Sequence, residues 1–280
     1  QLHMMGVAIV VRLKKTVKFL SMMVHADREQ DASQTFHTWI ASTIDMWTNF
    51  IRAGKDDIAY INPENGYKIT EFLEGARVCD PLNYEDVKKC MKRLHAFHDL
   101  KLKVNHEFDI FGQMEFYETL WEGTPSAYKD YEITKANVLS LKPYIDAHAG
   151  EEVLTHIDAV PDNFLFVEKE GREEIRLIDW EYAGMQDPHV DVAMFCIYSL
   201  YNKRQVDRLI AAYFKEGCDD ATRIKIYCYI AACGLLWSNW CEYKRNLGVE
   251  FGEYSLRQYR YAKDYYRIVQ EELKKQGEKK

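Results

Sequence analysis

Proline and glycine are scarce in this sequence, 6 and 14 among 280 residues, which argues against fibrous or long disordered tracts and for a globular protein. No apolar run is long enough to span a bilayer; Tyr229–Trp237 has about half the required length. Gly6–Val11 is too short for the apolar core of a signal peptide. The 7 cysteines form no Cys-x-x-Cys pair and no zinc spacing. Their odd number and apolar neighbours fit reduced, buried thiols in a cytoplasmic protein. Basic clusters are missing as well, because Lys274, Lys275, Lys279 and Lys280 read as the solvated tail of a helix. With a formal net charge of −7, nucleic acid and anionic membrane are not expected partners, whereas a cationic ligand suits the surface. Internal repeats and low-complexity segments are absent.

What is present is apolar and aromatic: 47% hydrophobic residues and 19 Tyr, many of the latter in the C-terminal third. A chain of this length buries about three quarters of its unfolded surface, as one large domain or two packed lobes. Residues 1–57 show no clean period; Ala8–Arg12 and Thr16–Leu20 are strand candidates, and Phe36–Ile51 is a helix candidate. Order begins at Ile58–Ile61, a strand, followed by a turn at Asn62–Gly66 and a return strand at Tyr67–Phe72. Asn83 is placed to cap a helix, with Asp86 as its capping-box partner and Val87, Met91, Leu94, Phe97 and Leu100 at helical spacing. Helical patterns then cover 113–121 and 130–141, and Val153–Thr155 is a short strand. Asn163–Val167 and Glu174–Trp180 alternate around Lys169–Gly171, a hairpin signal. Beyond it come helices at Asp191–Tyr201, around Val206–Phe214, from Asp219 to about Arg245, and over 253–275.

The chemistry concentrates in His156-Ile157-Asp158-Ala159-Val160-Pro161-Asp162-Asn163 and in Leu177-Ile178-Asp179-Trp180-Glu181-Tyr182. A strand delivers a loop bearing Asp158; five residues on, Asn163 opens a hairpin whose second strand is expected to end at Asp179. A hairpin brings its two ends together. An amide oxygen and a carboxylate can then share a hard divalent cation, with Asp158 beside them to meet a substrate hydroxyl. Any one of these Asp residues alone reads as an ordinary turn residue; the spacing of the whole set is what carries the argument. Trp237 and Trp240 lie three apart on a helix and share a face. Taken alone, they read as core. His95 and His98 lack a second ligand pair, and a surface or core role suits them better than metal.

These motifs resemble bacterial choline kinases of the choline/ethanolamine kinase family, within the aminoglycoside phosphotransferase-like, protein-kinase-like superfamily. The resemblance runs from about Ile58 to about Lys275. It implies an α+β, protein-kinase-like two-lobe fold, with an N-terminal lobe and linker at 1–73 (1–57 atypical) and a C-terminal catalytic lobe at 74–280. It implies ATP as co-substrate, Mg²⁺ as cofactor and phosphocholine as product. Asp158 matches the catalytic aspartate, and His156 the histidine that braces the loop. Asn163 and Asp179 match the metal ligands, and Asp191 the structural aspartate that holds the loop. Glu181, Trp237, Trp240 and Tyr254 match the choline site, where aromatic faces and an anion receive a quaternary ammonium. Tyr67–Glu74 resembles the linker between lobes, so the backbone of Glu71, Phe72 and Leu73 is the candidate adenine contact.

Residues 1–57 depart from that pattern. They contain no Gly-Gly-x-Thr-Asn-like phosphate loop followed by a basic strand and an Asn-Arg-x-x-Glu-like helix; Arg12 is the nearest stand-in for the strand base. Poor ATP affinity is the corresponding expectation. Two alternatives stand beside choline: another acceptor, such as ethanolamine, another amino alcohol or an aminoglycoside, and a non-catalytic choline-binding protein.

Overall fold

The computed structural model describes residues 73–180 and 182–278 in full, and the backbone of four strands before them. The predicted helix at Phe36–Ile51 and turn at Asn62–Gly66 lie outside the described residues. The chain divides into two compact units. One is Gln1–Arg77 with Val104–His106 and Val167–Glu174; the other is Val78–Lys103, Glu107–Phe166 and Ile175–Lys280.

The first unit holds β1 (Val7–Leu13), β2 (Thr16–Met22), β3 (Ile58–Ile61) and β4 (Lys68–Glu71) in one sheet of order β1-β2-β4-β3. All three pairings are antiparallel, and the register slips at a bulge between Ile58 and Tyr60. The strands expected from the sequence are therefore present: β1 and β2 run slightly longer than expected, β3 matches, and β4 is shorter than the expected Tyr67–Phe72.

β5 (Arg77–Val78) leads to α1 (Tyr84–His98). Asn83 caps this helix by accepting from Glu85 N, as its position predicted. Asp86 is no capping-box partner: its Oδ2 accepts from Asp80 N at 3.2 Å instead. Val87, Met91, Leu94 and Phe97 are buried, whereas Leu100 lies past the helix end and is 47% exposed. The next helices are α2 (Ile110–Thr119), α3 (Tyr131–Leu139) and α4 (Lys142–Ala147). The pattern expected to run over 130–141 stops at Leu139, and Pro143 sits in the first turn of α4, where a missing N–H costs nothing.

β6 (Val153–Thr155) pairs antiparallel with β9 (Gly184–Gln186), Leu154 opposite Met185. Between them runs a hairpin, β7 (Phe164–Lys169) and β8 (Arg172–Leu177), within a sheet of order β5-β7-β8. Its turn, Glu170-Gly171, has positive φ at both residues (54° and 72°), as a two-residue hairpin loop requires. The remaining helices are α5 (His189–Tyr198), α6 (Lys203–Tyr213), α7 (Asp220–Asn246) and α8 (Glu253–Glu278). Asp219 caps α7 through Thr222 N at 2.8 Å.

α7 is buried almost continuously from Ile224 to Glu242 and forms the axis of the second unit. It reaches α8 across Gly234, where a Cβ would lie 2.8 Å from Gln258 O and from Tyr261 Cβ; only glycine permits that approach. The buried Lys225 of α7 donates to Asp187 at 2.6 Å, which also accepts from His189 N at 2.9 Å. This pair ties the central helix to the turn between β9 and α5. Among the described residues no helix is long and apolar enough to cross a membrane. All 7 cysteines are free and six are buried, Cys218 being half-buried.

Candidate active site

The β6–β9 pairing sets two loops side by side: His156–Asp158 after β6, and Asp187–Pro188 before α5. Asp191, on the first turn of α5 and fully buried, reaches back under the first loop. Its Oδ2 accepts from His156 N at 2.9 Å and its Oδ1 from Ile157 N at 2.7 Å. A third contact comes from α1, where His98 Nε2 lies 2.9 Å from Asp191 Oδ2. Ile157 has a φ of 66°, a left-handed conformation that costs a β-branched residue about 1–3 kcal/mol. Asp191 offsets that strain by satisfying both buried N–H groups. His156 adds a second tie, its Nε2 lying 2.8 Å from Ile178 O on the far side of the hairpin, with its ring 4.4 Å from that of Trp180.

The loop so held presents Asp158. Asn163, in the 3₁₀ turn Pro161–Asn163, donates its amide hydrogens to Asp158 O and to Asp158 Oδ2, both at 2.9 Å. Its amide oxygen accepts no hydrogen bond among the described residues. The base of the hairpin closes through Ile178 N to Asn163 O at 3.0 Å, which brings Asp179 to the same end. β8 stops at Leu177 rather than at Asp179; Asp179 lies just past it with a φ of 63°. Its exposed carboxylate has no hydrogen-bond or ion-pair partner among the described residues. Burial, then the charge of Asp179, pushes the Asp158 carboxyl up to about 7, against the opposing hydrogen bond from Asn163. Mutual repulsion of two carboxylates beside a spare amide oxygen is the electrostatic condition that a hard divalent cation relieves.

An aromatic cluster adjoins this loop. Tyr198 donates to Asp162 Oδ2 at 2.7 Å, and its ring lies 6.3 Å from Tyr254, whose hydroxyl is raised by burial and, more weakly, by charges that include Asp158. Trp237 and Trp240 share a face of α7 as expected, with centroids 5.8 Å apart and planes at 80°. They thus present two walls rather than a stack. Tyr182 meets Trp237 edge-on at 5.4 Å, Phe251 meets Trp240 at 4.8 Å, and Phe251 and Tyr254 are 6.3 Å apart. Trp237 is nearly buried, its Nε1 directed at Met194 Sδ. Tyr182, Tyr198 and Phe251 were not among the site residues expected from the sequence. An aromatic after Glu181 and another in the α7–α8 connection were the only signals available for Tyr182 and Phe251.

Glu71 ends β4, its backbone opposite Lys18, and Leu73 accepts from Ala76 N at 3.2 Å. Phe72 and Glu181 lie outside the described residues. His95 bonds Asp99 at 3.0 Å on the surface of α1.

The fold has known counterparts. Choline kinase LicA from Streptococcus pneumoniae superposes with a TM-score of 0.74 at 23% identity, covering 93% of this chain and 89% of that one. A structure of LicA in complex with AMP gives 0.73 at 23% identity, over 94% and 88%. Among curated proteins, protein LicA of Haemophilus influenzae (strain ATCC 51907 / DSM 11121 / KW20 / Rd) is 23% identical, over 91% of this chain and 92% of that protein. The fold is thus the α+β fold of these kinases. The family model described as the phosphotransferase enzyme family matches residues 58–227, which include the hairpin and every residue of the Asp158 loop, and the chain belongs to that family.

Proposed function

We propose that the protein transfers the γ-phosphoryl group of ATP to the hydroxyl of choline, giving phosphocholine and ADP. The observation that carries this reading is the junction of two sets of residues in one unit: Asp158 with Asn163 and Asp179, and the aromatic cluster that begins at Tyr198 and Tyr254. A quaternary ammonium has no N–H to donate, so aromatic faces and a nearby anion are what can hold it; each such contact contributes about 0.5–2 kcal/mol. Trp237, Trp240, Tyr254 and Glu181 are assigned that task. The two walls at 80° suit a rounded cation better than a flat ring. The choline kinase relative and the nucleotide complex support the same reading.

In the reaction, the choline oxygen forms a bond to the γ-phosphorus as the bond to the β–γ bridging oxygen breaks, and the hydroxyl proton passes to Asp158. The transition state is loose, so Asp158 chiefly orients the hydroxyl and accepts its proton late. A carboxyl with a pKa of about 7 can take up a proton near neutrality. Asn163 donates to Asp158 and so fixes the carboxylate's direction; His156 and Asp191 hold the loop beneath it. The spare oxygens of Asn163 and Asp179 fit Mg²⁺, which when bound would neutralise phosphate charge there. The backbone of Glu71, Phe72 and Leu73 is assigned to the adenine, with the boundary between the N-terminal and catalytic lobes near residue 73. The free cysteines agree with a reducing, cytoplasmic setting.

The test is ³¹P NMR of the purified protein with ATP and Mg²⁺, offering choline, ethanolamine and an aminoglycoside in competition. Phosphocholine should be the dominant product. Preferred phosphorylation of ethanolamine or the aminoglycoside would replace choline as substrate. ADP formation in none of the three, with choline still bound by calorimetry, would leave a choline-binding protein without transfer.

A further inference from the structure

We propose that Tyr213, at the end of α6, is a positioning residue that locks His98 in the tautomer able to donate to Asp191, and so holds the loop that carries Asp158. Tyr213 and His98 are separated by 115 residues, yet the Tyr213 hydroxyl lies 2.8 Å from His98 Nδ1. On the other side of the same ring, Nε2 lies 2.9 Å from Asp191 Oδ2. Tyr213, His98 and Asp191 are all buried. The ring of Tyr213 is enclosed by His95, His189 and Phe214.

The tautomer follows from counting protons. Burial, then the charges of Asp191, Asp187 and Asp99, raises the Tyr213 hydroxyl well above the ordinary phenol range, so it keeps its hydrogen. Among the described residues His98 Nδ1 is its one hydrogen-bond partner, so that nitrogen must offer a lone pair. The hydrogen of the neutral imidazole is then on Nε2, directed at Asp191. The opposite tautomer would set the Nε2 lone pair against a carboxylate oxygen. An imidazolium would turn an N–H toward Tyr213 and leave the phenol hydrogen buried without an acceptor. The opposite tautomer thus takes a donor from Asp191, and the imidazolium takes the acceptor from Tyr213; the other two bonds of Asp191 restrain His156 N and the strained Ile157 N.

The test uses the full chain labelled with ¹⁵N-histidine. Long-range ¹H–¹⁵N spectra near neutral pH should show wild-type His98 as the neutral Nε2–H form. In Tyr213→Phe the Nδ1–H tautomer, which withdraws the donor from Asp191, should become populated, and the His156 and Ile157 amides should exchange faster. Resting on the choline kinase reading, kcat should fall roughly tenfold with KM unchanged, the signature of a displaced reacting group rather than of lost binding. His98→Gln carries an amide donor that needs no tautomer, so adding Tyr213→Phe to it should change neither exchange nor kcat further. Wild-type His98 found as Nδ1–H or imidazolium would overturn the proposal, as would an equal effect of Tyr213→Phe in the His98→Gln background. The tautomer and exchange are read without substrate, so they decide the proposal even for a protein that leaves choline untouched.

Discussion

The loop around Asp158 and the cluster around Trp237 lie in the same unit but are built by opposite means. The loop is held by directional bonds: Asp191 takes two backbone N–H groups and faces His98, and Asn163 donates twice to Asp158. The cluster is held by ring packing, and among the described residues the one tie of its tryptophans to a side-chain acceptor is Trp237 Nε1 to Met194 Sδ. Directional bonds fix atoms to a few tenths of an ångström and fail abruptly when one partner goes. Ring contacts are individually weak and yield gradually. Changes to the loop should therefore appear in kcat and stability, and changes to the cluster in KM for the acceptor.

Asp191→Ala should break the comparison most severely, because it strands three donors at once. Urea denaturation should show a loss of about 3–5 kcal/mol, with little phosphoryl transfer remaining. Next in size is a pH effect that belongs to the loop alone. The Asp158 carboxyl lies at about 7 in the folded protein against an ordinary value of 3.8, so the folded state holds its proton more tightly than the unfolded state. That contribution is fully present below the unfolded value and is lost as pH rises from about 4 through about 7. Asp158→Asn removes the loss, so relative to wild type it should gain about 1–3 kcal/mol across that window after screening, measured by urea titration in EDTA.

Trp240→Leu should sharpen the comparison from the other side. KM for choline should rise roughly tenfold while kcat changes little, since one cation–π wall is removed and the loop is untouched. The smallest effect is expected from Tyr198→Phe, which deletes a hydrogen bond that joins the two regions, Tyr198 to Asp162. Steady-state kinetics should show a change of a few fold, about 1 kcal/mol, divided between kcat and KM.

Much of the loop could be read in advance, because its chemistry is local. The spacing from His156 to Asn163 and the Glu170-Gly171 turn lie within a short stretch, and a hairpin has only one way to bring Asn163 near Asp179. Caps such as Asn83 and Asp219 were legible for the same reason. The cluster was legible only where a helix places two residues on one face, as with Trp237 and Trp240. Phe251, Tyr182 and Tyr198 join it through tertiary packing, which leaves no spacing in the chain. His98 is the clearest case of that limit: its partners are 93 and 115 residues away, and it read as an undistinguished helix histidine. Leu100 failed for a simpler reason, since the apolar period continued one step past the point where α1 ended.

The most direct test of the account is single-turnover transfer from ATP to choline in Asp158→Asn, with choline affinity measured in parallel by calorimetry. The account predicts choline binding close to that of the unaltered protein and a transfer rate lower by about a thousandfold. Transfer at an undiminished rate would contradict it.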